Sequence, residues 1–395
     1  MKTRFSSNLI FIAYLLLVAL NQFLWINFVT LSSNVTTAYH VSTFDVGILA
    51  IVFPIVYVII SIPSGLIIDR KGYKFSLLVG AVFMTIFAAV RAAQNTYTFL
   101  LIGQIGIAIA QPFFNNSVSK LATTEFPSEK VPIIIGLGSL ALFVGVAMGM
   151  ILPPIMLLYM NLTQLIYITT IASVFIFIIF LISLLLIGKT KEKITEEKSS
   201  TSINFLKILR TQEILIFAII AFVGMGIFNG FLTWIESILT HFNLNDIQIG
   251  VIGLTIVVAG TIGSIIIPAL VTKFHKRKIF LLLAFAVSTP ILVIFVFVYN
   301  FYLLIIITAL LGFFMLGAFP VLIDWGTLLS GPQLAGSTTS LIWFLGQIGG
   351  FIIPIVMGDI GPLSPNNTYF YALLFDGIMF LLLLPLILKL KDRST

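Results

Sequence analysis

Polar side chains are sparse in this chain, and inside its apolar runs they recur at helical spacing. Asn21, Trp25 and Phe28 stand at i, i+4 and i+7 of one run. Gln104, Gln111 and Asn115 share a face of a second; Asn229, Thr233 and Glu236 share a face of a third; Gly317, Pro320 and Asp324 share a face of a fourth. A polar stripe turned to hydrocarbon would be costly, so each set must face protein or a cavity. Interhelical hydrogen bonding would account for any one residue, but the set as a whole fits reversible, non-covalent binding of a solute. Trp25 is the most suggestive member, because an indole among amides can hold a cation against its ring face. The substrate-binding candidates are Asn21, Trp25, Gln104, Gln111, Asn115, Asn229, Glu236 and Asp324. Carboxylates inside apolar runs are functional candidates by default, and they are Glu236, Asp324 and Asp376. Glu236 and Asp324 lie near run ends, where either can reach water or carry a coupled proton. Asp376 is expected to pair with a neighbouring helix, and Arg91 to snorkel to the outer surface.

Other chemistries are poorly served. Cysteine is absent, which removes disulfides, thiolate metal sites and cysteine catalysis. The three histidines, His40, His241 and His275, are too scattered for a metal cluster. No phosphate-binding loop, paired catalytic carboxylates or nucleophile triad is apparent, so the reading is not an enzyme, with no cofactor and no metal. Of the 395 residues 59% are hydrophobic and 9% charged, against roughly 25% charged in a soluble domain. The solvent for such a chain is lipid. Its net charge of +7 reflects basic loops on one side of a membrane rather than a nucleic-acid partner.

The elements that must position these residues are membrane spans, each needing about 20 mostly apolar residues. Twelve segments qualify, near 8–33, 44–67, 74–93, 97–120, 131–156, 164–187, 211–239, 246–271, 278–297, 301–325, 333–357 and 367–389. With the N-terminus inside, every one of the 21 Lys and Arg residues except Arg91 falls on the inner side. The expected topology therefore has both termini cytoplasmic. Residues 1–188 and 211–395 form two six-helix bundles, joined by a polar cytoplasmic linker at 189–210.

The halves repeat. At an offset of 203, Phe44–Leu49 aligns with Ile247–Ile252, Asp69-Arg70 with Thr272-Lys273, and Lys74 with Arg277. At an offset of 201, Gly145, Gly149 and Pro153 align with Gly346, Gly350 and Pro354, and His40 with His241. Two parallel repeats of this kind are a transporter arrangement. The glycine faces let helices approach closely, for packing, for sliding during a conformational switch, or for both.

Gly65, Asp69, Arg70, Gly72 and Lys74 form a charged turn between the second and third spans. Gly72 permits the backbone of a tight connection, and the charges suit a cytoplasmic gate. In the second copy Thr272 replaces the acid and His275 replaces Gly72. This turn resembles the signature loop of the major facilitator superfamily. The resemblance implies an all-α fold of twelve transmembrane helices in two six-helix bundles, with spans 1, 4, 7 and 10 lining the solute path. Asn21–Phe28, Gln111-Pro112-Phe113 with Asn116, Phe126-Pro127, and Gly317, Pro320, Asp324, Pro332 and Gly336–Ser340 resemble one branch. That branch is the feline leukaemia virus subgroup C receptor-related family, implicated in moving choline, ethanolamine or haem. It implies that Trp25 and Gln111 are site residues. Asn229 stands near that family's span-7 aromatic, and Leu328 where it has an acid. The expected function is a secondary transporter moving a small organic solute, such as a choline-like cation, by alternating access. A general drug or metabolite exporter and a non-transporting receptor or assembly subunit are the alternatives. The expected setting is a monomer in the cell membrane, surrounded by lipid, driven by a proton, by sodium or by the solute's own gradient.

Overall fold

The computed structural model describes residues 4–187, 212–330 and 335–390. The expected linker at 189–210, together with Pro332, lies outside the described residues, as do the side chains of Asp69 and Ser337 and the burial of Gly336. Among the described residues, twelve helices are long and apolar enough to cross a membrane: Ser6–Ile26, Thr43–Ile68, Arg70–Ala93, Tyr97–Glu125, Ile133–Leu157 and Leu162–Leu186 (spans 1 to 6), then Gln212–Thr233, Asp246–Phe274, Arg277–Phe297, Phe301–Gly326, Thr338–Leu363 and Phe370–Lys389 (spans 7 to 12). The chain divides into two compact units, Met1–Glu197 and Lys198–Thr395. Large apolar side chains such as Ile171, Leu185 and Ile265 remain exposed along the spans, as a lipid-facing surface requires.

Spans 1 and 7 are shorter than hydropathy suggests. Span 1 ends at Ile26, passes through a turn, and continues as a separate short helix, Ser32–Tyr39. Span 7 ends at Thr233, with a short helix at Ile235–Leu239. The expected stripes are therefore interrupted. Phe28 lies beyond the helix that carries Asn21 and Trp25, and Glu236 lies beyond the helix that carries Asn229 and Thr233.

Both short helices lead into the next span through the same device. Ser42 and Asp45 form a capping box, with Ser42 Oγ accepting from the Asp45 amide and Asp45 Oδ2 from the Ser42 amide. Asn245 and Gln248 form the same box at the start of span 8. The two boxes stand 203 residues apart, and each satisfies N–H groups that a helix start leaves unpaired. Two residues before each box the backbone turns left-handed, at His40 (φ 54°) and Asn243 (φ 55°). The positional twin of His40 is thus Asn243, and not His241 as the weaker offset suggested. His and Asn both tolerate this region better than most residues.

The charged turn is barely a loop. Helix runs from Thr43 to Ala93 with one non-helical residue, Gly72, at φ 83° and ψ 169°. That region is essentially restricted to glycine. The equivalent residue of the second unit, His275, sits at φ 55° and ψ 33°, the ordinary left-handed well, which explains how a histidine replaces the glycine there.

The glycine faces of spans 5 and 11 press against spans 1 and 7. A Cβ on Gly145 would lie 2.2 Å from the Ala19 carbonyl oxygen, and one on Gly349 would lie 1.9 Å from that of Phe222. Close backbone approach is their structural role in this state.

Candidate functional site

The end of span 1 is bolted to three neighbouring spans, and two of the bolts follow from proline chemistry. A proline in a helix removes the N–H that would bond the carbonyl four residues earlier. Pro54 so strands the carbonyl of Ala50, and the Trp25 indole Nε1 donates to that oxygen at 3.0 Å. Pro154 strands the carbonyl of Met150, which accepts from Thr30 Oγ1 at 3.2 Å. Asn21 Nδ2 donates to the Ile107 carbonyl at 3.1 Å, tying span 1 to span 4.

Gln104 completes this junction. Its Nε2 donates to the carbonyls of Leu24 (3.0 Å) and Leu49 (3.3 Å), each one residue before a partner in the Trp25–Ala50 bond. Leu24 is in the last turn of its helix, where carbonyls lack intrahelical partners. Gln104 Oε1 in turn accepts from Arg91 Nη1 at 3.2 Å. Arg91 does not snorkel. It is 1% exposed, its Nη2 donates to Thr169 Oγ1 at 2.9 Å, and its guanidinium lies 5.2 Å from the Phe28 ring centre. The hydrophobic run around Arg91 pointed to the membrane surface, whereas its partners came from spans 4 and 6, which one-dimensional reading could not bring near.

The N-terminal unit thus gathers Asn21, Trp25, Gln104 and Gln111 within neighbouring turns of spans 1 and 4. The Trp25 ring is only partly buried, with Phe53 at 6.0 Å. The Asn21 Oδ1 is buried without a hydrogen bond, Gln111 is buried one turn beyond Ile107, and Asn115 lies beside the Tyr57 hydroxyl. Asn27, not anticipated as a site residue, is fully buried and neither side-chain polar atom has a partner. An unpaired buried amide is uncommon and calls for an explanation such as a ligand or ordered water.

The C-terminal unit places its candidates apart. Asn229 and Glu236 are buried, on span 7 and on the short helix that follows it. Between them Trp234 donates its indole N–H to the Pro354 carbonyl at 2.8 Å, bolting this end to span 11. Asp324 is at the opposite end of its unit, bonded to Arg277 at 2.8 Å. Asp376 is fully buried, and neither carboxyl oxygen makes a hydrogen bond among the described residues, so the expected pairing with a neighbouring helix is not seen. In the first unit the turn is held from span 4: Tyr73 OH donates to Glu125 Oε1 at 2.5 Å and Ser7 Oγ to Glu125 Oε2 at 3.3 Å.

The family model described as Major Facilitator Superfamily matches residues 10–354. Choline/ethanolamine transporter flvcr2b of Danio rerio is 25% identical over 384 residues, covering 90% of this chain and 79% of that protein. Choline/ethanolamine transporter FLVCR1 of Felis catus is 26% identical over 414 residues, covering 95% and 71%. Among solved structures, the inward-facing, unoccupied bacterial homologue of the human lysosomal transporter Spinster superposes with a TM-score of 0.74 at 14% identity, covering 97% of this chain and 95% of that one.

Proposed function

We propose, from the premise that this chain belongs to the major facilitator superfamily, that it is a secondary transporter carrying a choline-like organic cation by alternating access. The observation that carries the substrate reading is the state of Trp25. Its N–H is committed to Ala50, so the ring face is what it can offer a ligand. A quaternary ammonium donates no N–H hydrogen bond and is held by aromatic faces. The names of the relatives, choline/ethanolamine transporters matching nine-tenths or more of the chain, support the same class. On this reading Trp25, Asn21, Gln111 and Asn115 contact the solute and Gln104 positions Trp25 from behind, while Asn229 and Glu236 are the second unit's own candidates. Asp324 belongs instead with the basic turn it pairs with. Gly65, Asp69, Arg70, Gly72 and Lys74 form the cytoplasmic gate, the side of the basic residues faces the cytoplasm, and the protein acts as a monomer in the cell membrane.

The experiment is uptake of labelled choline into proteoliposomes, repeated with imposed proton and sodium gradients. Saturable uptake, abolished in Trp25→Ala, supports the reading, and the gradient that accelerates it identifies the coupling ion. Choline binding without flux would support the receptor alternative. Flux of other solutes with no competition by choline would support a general exporter.

A further inference from the structure

The guanidinium of Arg91 is a buried positive charge, and among the described residues its hydrogen-bond partners include no acid. The ion pair of Arg277 with Asp324 belongs to the other unit. Arg91 has two neutral acceptors, Gln104 and Thr169, while its Nε is buried with no hydrogen bond. Thr169 Oγ1 already donates its own proton to the Ile166 carbonyl at 2.9 Å, so as an acceptor it is correctly set but brings no charge. A guanidinium carries five N–H donors, and an uncompensated charge in a low-dielectric interior is strongly unfavourable.

Beside it the structure leaves a small half-open pocket of about 20 Å³, bordered on its outer side by the exposed Gln94, Asn95 and Tyr167. Tyr39, Gln94, Asn95, Thr163 and Tyr167 wall it together with Arg91. These residues supply hydroxyl and amide donors, and no Asp or Glu lines the space. One water occupies roughly 10–15 Å³ on this measure, so the volume holds one occupant of that size, a water or a small ion. The cavity is at the end of span 3 remote from the charged turn, where the short helix Ser32–Tyr39 and the start of span 6 meet it.

We infer that this cavity is a binding site for a small monovalent anion, of which chloride is the representative, held by Arg91 and neutral donors. The anion completes the charge balance of Arg91 and so stiffens the chain Arg91–Gln104–Leu24/Leu49 that stands behind Trp25. The site is distinct from the solute contacts and does not depend on the solute being choline.

The test uses the purified full chain in detergent, with chloride replaced stepwise by gluconate at constant ionic strength. Chloride should raise the thermal midpoint saturably, by on the order of a few degrees, because it binds the folded state alone. Bromide should do the same. Arg91→Gln should lose the response. Asn95→Asp, which places a carboxylate in the same cavity, should melt higher than wild type without chloride and should also lose the response. Should Arg91→Gln fail to fold, Asn95→Asp decides the matter alone. A wild-type midpoint indifferent to chloride, or a chloride response kept by either variant, overturns the inference.

Discussion

Arg277 Nε donates to Asp324 Oδ2 at 2.8 Å, joining the start of span 9 to span 10. Arg277 is the repeat equivalent of Lys74, and the neighbour of Lys74, Tyr73, is held by Glu125 at the end of span 4. In each unit, then, an acid on span 4 or 10 grips a residue at the end of the charged turn or of its repeat equivalent. The two grips differ in setting. Tyr73 is fully buried and Glu125 nearly so, whereas the Arg277 and Asp324 side chains are 21% and 59% exposed.

That difference sets an expectation for Asp324→Asn. An exposed ion pair contributes about 0–1 kcal/mol and is screened by salt. The variant should therefore lose no more than about 1 kcal/mol of stability, and the loss should shrink at high salt. Choline binding should be unchanged if Asp324 lies outside the solute site. Calorimetric titration and thermal melts check both; a large rise in choline Kd would return Asp324 to the binding set.

Much of this fold was legible because its signals are local. The capping boxes at Ser42 and Asn245 lie in the very segments whose alignment at 203 residues revealed the repeat, and apolar length located all twelve spans. What is not legible is either a break that no charge or helix breaker marks or a contact between distant elements. Asn27-Phe28-Val29-Thr30 interrupts span 1 with no charge, glycine or proline to mark the break, so the span reads on past Ile26. Trp234 carries no local signal of its role, because its partner, Pro354, is 120 residues away. The burial of Arg91 depends on Gln104 and Thr169, which no periodicity connects to it.

Glycines on one helix should divide by what they touch. Gly145 and Gly136 both lie in span 5, but a Cβ on Gly145 would strike the Ala19 carbonyl, whereas one on Gly136 meets nothing within 4 Å. Gly145→Ala should destabilise by about 1–3 kcal/mol through overpacking. Gly136→Ala should be neutral or gain up to about 1 kcal/mol, the helix-propensity difference between the two residues. Thermal melts of the two variants side by side check this, and equal effects would remove the packing explanation.

His241 should make stability depend on pH. It lies between spans 7 and 8, its ring centre 3.9 Å from that of Phe242 and 6.3 Å from that of Tyr299. Neither ring nitrogen makes a hydrogen bond of ordinary geometry. Burial lowers its pKa below the usual 6.5, and the backbone of Val296 and Ile238 offsets part of the shift. The unfolded chain therefore takes up a proton more readily than the folded one. The contribution of neutral His241 is fully present above pH 6.5 and is lost as pH falls from there through the lowered folded value. His241→Phe should flatten this acid-side slope in melts recorded across that range. An unchanged slope would assign the pH dependence elsewhere.

The bond from Trp25 to Ala50 makes the sharpest prediction, because its existence is ascribed to Pro54. Trp25→Phe keeps a ring face but leaves the Ala50 carbonyl unpaired, which should cost about 1–3 kcal/mol. Pro54→Ala restores the helical N–H to that carbonyl and makes the indole bond redundant. In a Pro54→Ala background, Trp25→Phe should therefore cost markedly less, giving a coupling of roughly 0.5–3 kcal/mol in a double-mutant cycle. Choline binding follows the ring rather than the bond. Trp25→Phe should retain weakened binding in either background, since a phenyl face holds a cation less well than an indole, and Trp25→Ala should lose it in both. Additive stability effects would detach Trp25 from the proline. Binding retained by Trp25→Ala would move the cation site away from this ring.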